Sequence, residues 1–507
     1  MATYQPHLVA RFCATLFLGY LLSFAPRPVL GQPYWPQFRG PNGQGVSTSA
    51  HPPLSFSTDK ALWRTEVPPG HSSPVIWGGK IFLTCVEGKA LDCRAYDRAT
   101  GKLLWSRPVP AEKLEETQAF NNPAAPTAAV DGERVVFYLG SYGLLAFTHD
   151  GKPVWEKKLP TQVSRGHYGT GTSPILCNDL IVLANDTDEG GSRLLAFKRN
   201  SGELAWEAPR PLFTAGWSTP ILWSQGGQSE IVLLGSKKLV AYHPETGKEL
   251  WSVPGFPLET ACSPAYEGER LLVCSAAIGG RSSAKFEFDG WKQLIAFDKN
   301  NDGKIQFAEV PDGFHLTIRS ELPDGHPGKL LPFDTREMLK GLDEDKDGAA
   351  SEQEWNKSMD GFQSLDSPVL MAIRGGSMPK EDERVAWKVG RGIPEMPSPL
   401  AYDGKVFLVR DGGIVQCLDN AKGTVLYEER LGTLGGYAAS PIGALDRVYV
   451  ASQSGSITVL DAHSDSLKVL AKNPLGEKIS ATPALAGDVI YVRTDKHLYA
   501  FGAESPK

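Results

Sequence analysis

The chain has 507 residues, 41% of them hydrophobic and 22% charged, the composition of a globular protein rather than a disordered or fibrous one. Its net charge is −6 and no basic stripe runs along it, which excludes nucleic acid as a partner. The 53 glycines and 38 prolines suit many short strands joined by tight turns.

Residues 1–31 read as a signal peptide. Arg11 supplies positive charge, Phe12 to Ala25 form an apolar run, and Val29-Leu30-Gly31 offers a cleavage site. That run is too short to span a bilayer, and no later stretch is apolar enough, so no transmembrane segment is expected in the mature chain. The protein is expected to be exported, periplasmic or extracellular.

Beyond the signal, a small residue followed by proline opens an apolar strand at Pro74, Pro126, Pro174, Pro220, Pro264, Pro399, Pro441 and Pro483. The spacings of 52, 48, 46, 44, 135, 42 and 42 residues describe a repeat with one insertion. A period of 40–50 residues suits one propeller blade. Each unit continues with a second strand such as KIFLTC or LIVLAN, a third, a Gly turn and a strand bearing an aromatic residue. That residue is Trp105, Trp155, Trp206, Trp251, Trp387 or Tyr427, and a flat ring there suits packing between blades.

The last unit, ISATPALAGDVIYVRTDKHLYAFG, has three strands and no fourth, while ALWRTEV with Trp63 is a fourth strand with no three before it. Joining them predicts an all-β, eight-bladed propeller of four-stranded antiparallel blades, closed by its own chain ends. The expected segments are 1–31 signal, 32–280 first propeller part, 281–366 insertion in blade five, and 367–507 second propeller part.

The insertion carries 18 acidic and 11 basic residues and two twelve-residue acidic loops. In DKNNDGKIQFAE, Asp298, Asn300, Asp302, Lys304 (through its carbonyl) and Glu309 occupy calcium-ligand positions around Gly303. In DEDKDGAASEQE, Asp343, Asp345, Asp347, Ala349 (through its carbonyl) and Glu354 do the same around Gly348. Apolar faces at Trp291/Leu294/Ile295, Met338/Leu339/Leu342 and Trp355/Met359/Phe362 predict flanking helices, with Asp334 and Glu337 as a capping box. The loops resemble EF-hands, which implies two Ca²⁺ sites and a small α-helical insertion. Pro311 is expected to shorten the helix after the first loop.

Ligands of propellers bind at the channel mouth, so residues just before each small-Pro pair are the candidates there. They are His71, Asn122, His167, Tyr168, Trp217, Glu259, Glu395 and Tyr437. A solvated rim would use the same residue types. Cys85 with Cys93, and Cys262 with Cys274, flank hairpin loops; oxidation in an exported protein and buried free thiols are both open. No G-x-S-x-G elbow, H-E-x-x-H pair or P-loop is present, and no residue is assigned a catalytic role.

The A-x-D-x-x-T-G-x-x-x-W grammar, clearest from Ala95 to Trp105, resembles the repeat of pyrroloquinoline-quinone (PQQ) dehydrogenases and of their non-catalytic BamB-like relatives. WPQFRGPNGQG, Trp35 to Gly45, resembles the lead-in of BamB-like secreted propellers. The resemblance implies a non-enzymatic module that binds a protein or peptide partner. The alternative it implies is a PQQ-dependent oxidoreductase, which is not favoured. That family holds calcium against the quinone and commonly joins adjacent cysteines, and no two cysteines here are adjacent.

Overall fold

In the computed structural model the described residues are Met1, 34–164, 167–276, 290–317, 324–325, 329–331, 334–343, 345–363, 368–376 and 381–502. The expected signal peptide otherwise lies outside them. Eight sheets of four antiparallel strands make up the propeller. Blade one runs from Val75–Trp77 through Lys80–Glu87 and Ala90–Asp97 to Leu103–Val109. In each blade the short first strand and the two middle strands are largely buried, whereas outer strands such as Pro153–Lys158 are mostly exposed. The blades thus place their continuous apolar segments against one another and their polar alternation outside.

Closure follows the sequence expectation. Trp63–Glu66 pairs antiparallel with His497–Gly502, Trp63 opposite Ala500 and Glu66 opposite His497. The eighth blade is therefore built from both ends of the propeller, and the ring has no unpaired seam.

Five of the tryptophans lock neighbouring blades through one repeated contact, whereas Trp251 Nε1 donates to Glu230 of its own blade (2.9 Å). Trp63 Nε1 donates to Arg98 O (3.0 Å), Trp105 to His149 O (2.8 Å), Trp155 to Arg199 O (2.9 Å), Trp206 to Pro244 O (3.0 Å) and Trp387 to Asn420 O (3.0 Å). Each acceptor lies in the third-to-fourth strand turn of the next blade, whose glycine sits on the indole face. At Gly202 the backbone has φ +70° and a Cβ would stand 2.6 Å from the Trp155 ring. Gly202→Ala is expected to cost about 2–3 kcal/mol, combining a left-handed backbone with overpacking. Urea melts that agree within a few tenths of a kcal/mol would remove this account of the T-G-x-x-x-W grammar.

In blade five the middle strands lie far apart in the sequence. Its second and third strands, Arg270–Ser275 and Val369–Arg374, pair directly, with Ser275 opposite Val369. Between them lie helices α1 (Gly290–Leu294), α2 (Thr335–Leu342) and α3 (Glu352–Gln363), and two short paired strands, Lys304–Gln306 and Ala349–Ser351. Trp291, Leu294, Ile305, Leu339, Ala350 and Trp355 form a separate small core. Ile295 departs from its expected place on the apolar face and is 38% exposed, because α1 passes into a 3₁₀ turn at that residue. Asp334 caps α2 by accepting from Glu337 N (3.1 Å). The side chains of Met359 and Phe362 lie outside the described residues. Among the described residues no helix is long and apolar enough to cross a membrane.

Candidate functional site

The residue that opens each blade does more than start a strand. Its hydroxyl oxygen accepts the backbone N–H of the corresponding residue one blade earlier. Ser73 N donates to Thr127 Oγ1 (2.9 Å), Thr127 N to Ser173 Oγ (3.0 Å), Ser173 N to Thr219 Oγ1 (3.0 Å) and Thr219 N to Ser263 Oγ (2.9 Å). Ser263 N continues to Ser398 Oγ (2.9 Å), Ser398 N to Ser440 Oγ (3.0 Å), Ser440 N to Thr482 Oγ1 (3.0 Å) and Thr482 N to Ser73 Oγ (3.1 Å). Eight hydroxyl groups close into a belt around the channel. The following proline removes a backbone donor that would have no strand partner at this position.

This belt corrects the phase of one marker. In blade two the belt residue is Thr127, one position after Pro126, and Ala128 stands where the other blades have proline. The first strand there is Ala129–Val130.

The lead-in segment spans the other end of the channel and reaches every blade. Trp35 exchanges backbone bonds with Ile76 (2.9 and 2.8 Å), Pro36 O accepts from Val130 N (2.7 Å) and Gln37 Oε1 from Leu176 N (3.1 Å). Gly43 lies against Ile221, and Gln44 Oε1 accepts from Tyr266 N (2.6 Å). Arg39 Nη2 donates to Pro399 O (2.5 Å), Ser47 N to Gly443 O (2.9 Å) and His51 N to Gly487 O (3.1 Å). Gly40 is required because a Cβ would stand 2.6 Å from the Trp35 ring. Burial lowers the fully enclosed Arg39 guanidinium to about 10.

Above this floor lies a cup of about 150 Å³. Phe38 forms its base, the hydroxyl belt its waist, and His71, Phe120, Asn121, Tyr168, Trp217 and Met396 its upper wall. Tyr168 meets Trp217 edge-on at 5.5 Å and Phe120 at 5.5 Å. Trp217 Nε1 donates to Gly169 O (2.6 Å), and Asn121 Nδ2 to Tyr168 O (2.7 Å), which fixes the aromatic wall. Burial, then the charges of Arg493 and Lys478, lower His71 to about 4, so it is neutral at pH 7. The described lining holds no carboxylate, ammonium or guanidinium group.

Of the expected rim residues, His71, Tyr168 and Trp217 meet in this cup and the others do not. Glu395 and Tyr437 line a separate narrow recess with Arg410 and Asp411. Tyr437 is buried, its hydroxyl donating to Thr433 O (3.0 Å) and its N–H to Asp411 Oδ1 (2.6 Å). His167 faces Glu116 (3.0 Å) on the exposed surface. Asn122 caps Ala124 N (2.8 Å), and Glu259 O accepts from Ser275 Oγ (3.2 Å). Phe38, Phe120, Asn121 and the belt itself escaped the sequence pattern.

The six cysteines of the propeller are free and buried. Burial raises the thiols of Cys85, Cys93, Cys177, Cys274 and Cys417.

The two acidic loops of the insertion fold alike. In the first, Asp298 accepts from Asp302 N (3.3 Å) and Gly303 N (2.9 Å), Asn300 from Asp302 N (3.0 Å), Asp302 from Lys304 N (2.8 Å) and Glu309 from Gln306 N (3.1 Å). In the second, Asp343 accepts from Asp347 N (3.1 Å) and Gly348 N (3.1 Å), Asp345 from Asp347 N (3.1 Å), Asp347 from Ala349 N (3.0 Å) and Glu354 from Ser351 N (2.9 Å). The loops lie side by side, Ile305 opposite Ala350. Lys304 Nζ forms an ion pair with Asp347 across them. Carboxylate oxygens of Asp343, Asp345 and Glu354 lie within 4.8 Å of one another, a grouping that could hold a metal ion. The first loop exits into a three-residue turn, Phe307–Glu309, shortly before Pro311.

The family model described as outer membrane protein assembly factor BamB matches residues 53–167, 92–261, 190–319 and 337–506. The chain belongs to this family. The BamB match breaks between 319 and 337, inside the insertion, and covers the blades on either side of it. Among solved structures, a quinohemoprotein alcohol dehydrogenase from Comamonas testosteroni is 14% identical, with 94% of this chain and 82% of that chain covered and a TM-score of 0.52. The designed protein Ika8 is 10% identical over 87% and 99% of the two chains, TM-score 0.52. A europium-containing methanol dehydrogenase is 13% identical over 93% and 98%, TM-score 0.50. At these identities the likeness is one of fold alone. No curated protein matches significantly.

Proposed function

We propose that the protein is an exported, calcium-binding propeller that acts without catalysis, as a protein-binding or assembly module of the BamB kind. Residues 1–31 direct it to the periplasm or beyond. The EF-hand pair carried by blade five takes two Ca²⁺ ions, through Asp298, Asn300, Asp302, Lys304 O and Glu309 and through Asp343, Asp345, Asp347, Ala349 O and Glu354. The observation that carries the calcium reading is the backbone hydrogen-bond scheme the two loops share, together with the carboxylate oxygens of Asp343, Asp345 and Glu354 grouped within 4.8 Å.

The PQQ alternative fits the cup poorly. Calcium against a quinone needs carboxylate or amide oxygens, and the quinone's acid groups need cations. The described lining has no carboxylate and no cation, offers one side-chain amide, that of Asn121, and its one histidine is neutral. Incubation with PQQ and calcium is therefore expected to give no tight uptake and no dye-linked alcohol oxidation. Turnover would reverse the assignment.

Calorimetry of the full chain is expected to find two calcium ions. Glu309→Gln should weaken one site and Glu354→Gln the other, each by roughly tenfold or more, about 1.4 kcal/mol. Chelation should loosen the insertion, whose repelling carboxylates lose their counter-ion, and leave the strand signal of the ring intact. Absence of calcium uptake would end this reading.

A further inference from the structure

We propose that the channel cup is a binding site for one neutral saccharide ring, free or at the end of a glycan. The lining sets the charge of the occupant first. With His71 neutral and no carboxylate, ammonium or guanidinium on the described wall, a charged ligand would lose water without gaining a counter-ion. The occupant is therefore uncharged.

The belt sets its polar groups. Each of the eight hydroxyl oxygens spends one lone pair on a neighbour's backbone N–H, and none donates to a protein group among the described residues. One donor and one lone pair per hydroxyl are left over, on residues that line the cup. A ligand that matches such a wall presents hydroxyl groups of its own, which both donate and accept.

The aromatic side sets its shape. Phe120, Tyr168 and Trp217 stand together on one flank, while Ala438 and Ser480 face the cup from the other. The negative π faces suit the C–H face of a pyranose, whose opposite edge carries the hydroxyls. A cavity of about 150 Å³ accepts a single six-membered ring. The pair of carboxyl groups that glycoside cleavage requires is missing from the lining, so the site binds and does not hydrolyse.

The test uses the full chain and saturation-transfer NMR with a panel of glucose, galactose, mannose and N-acetylglucosamine, the corresponding disaccharides, and benzoate as a charged planar control. Saturation of the ring C–H protons of at least one sugar, with a saturable titration, is expected, and benzoate should stay silent. A disaccharide that binds tighter than its monosaccharide assigns a glycan end; equal affinity assigns the free sugar. Trp217→Phe and Ser480→Ala should each weaken binding at least threefold, with the strand signal unchanged, while Leu434→Ala on the exposed surface has no effect. Sugars that all fail to saturate, benzoate that binds in their place, or sugar binding indifferent to both cup variants would overturn the proposal.

Discussion

A chain that stops at Lys496 is expected not to fold. The strand it lacks, His497–Gly502, is the partner of Trp63–Glu66 on one side and of Val489–Arg493 on the other. Leu498, Tyr499 and Phe501 are fully buried in the cluster that also holds Trp35 and Phe56, and Phe56 stacks on Phe501 at 4.6 Å. Three large side chains are worth roughly 5–9 kcal/mol at 1.5–3 each, which rivals the whole stability of a typical domain. Two strand edges would also open to aggregation. Circular dichroism and solubility of the shortened chain, beside one that stops at Gly502, provide the measurement. A soluble, cooperatively melting 1–496 chain would show that the ring does not depend on its closure.

Why the closure was legible while the cup was not comes down to period. A tryptophan or a strand recurs in every blade because it answers the same packing problem eight times, so its spacing declares it. The unmatched fourth strand at Trp63 and the three-strand unit ending at Phe501 had only one way to be completed. The small residue before each proline recurs too, yet its role depends on the hydroxyl, which spacing does not reveal. Pro126 shows the cost: the pattern of small residue plus proline selected the wrong position in blade two, where Thr127 carries the bond and Ala128 replaces proline. The cup wall is harder still, since Phe38 and Phe120 come from dissimilar loops and occur once each. Nor does spacing reveal that Tyr437 is buried, because loop residues near a channel can turn inward as easily as outward. The acidic loops stand out in the sequence because their hydrogen bonds are local, Asp298 and Asp343 each accepting from backbone four and five residues further on.

The largest effect expected of a single substitution lies between blades three and four. Arg210, just beyond the strand Leu204–Pro209, is fully buried, and its fork meets Asp186 through Nε to Oδ1 (2.8 Å) and Nη2 to Oδ2 (2.9 Å). Its remaining nitrogen donates to the Tyr242 hydroxyl of blade four, and its guanidinium lies 3.6 Å from the Phe213 ring centre. Each guanidinium nitrogen has an acceptor and the ring covers the cation, so its burial is tolerated only while they are in place. Asp186→Ala leaves that charge enclosed without a partner and should cost about 3–5 kcal/mol. Arg210→Lys should not spare the site, because an ammonium cannot engage both carboxylate oxygens and Tyr242 in one plane. The double variant Asp186→Leu with Arg210→Met removes both charges and should regain most of the loss, since the pair's attraction offsets its desolvation and adds little beyond that. Urea melts of the three variants separate these terms. A loss under about 1 kcal/mol for Asp186→Ala would mean that water reaches Arg210, and the junction between these blades would then be open where the geometry has it sealed.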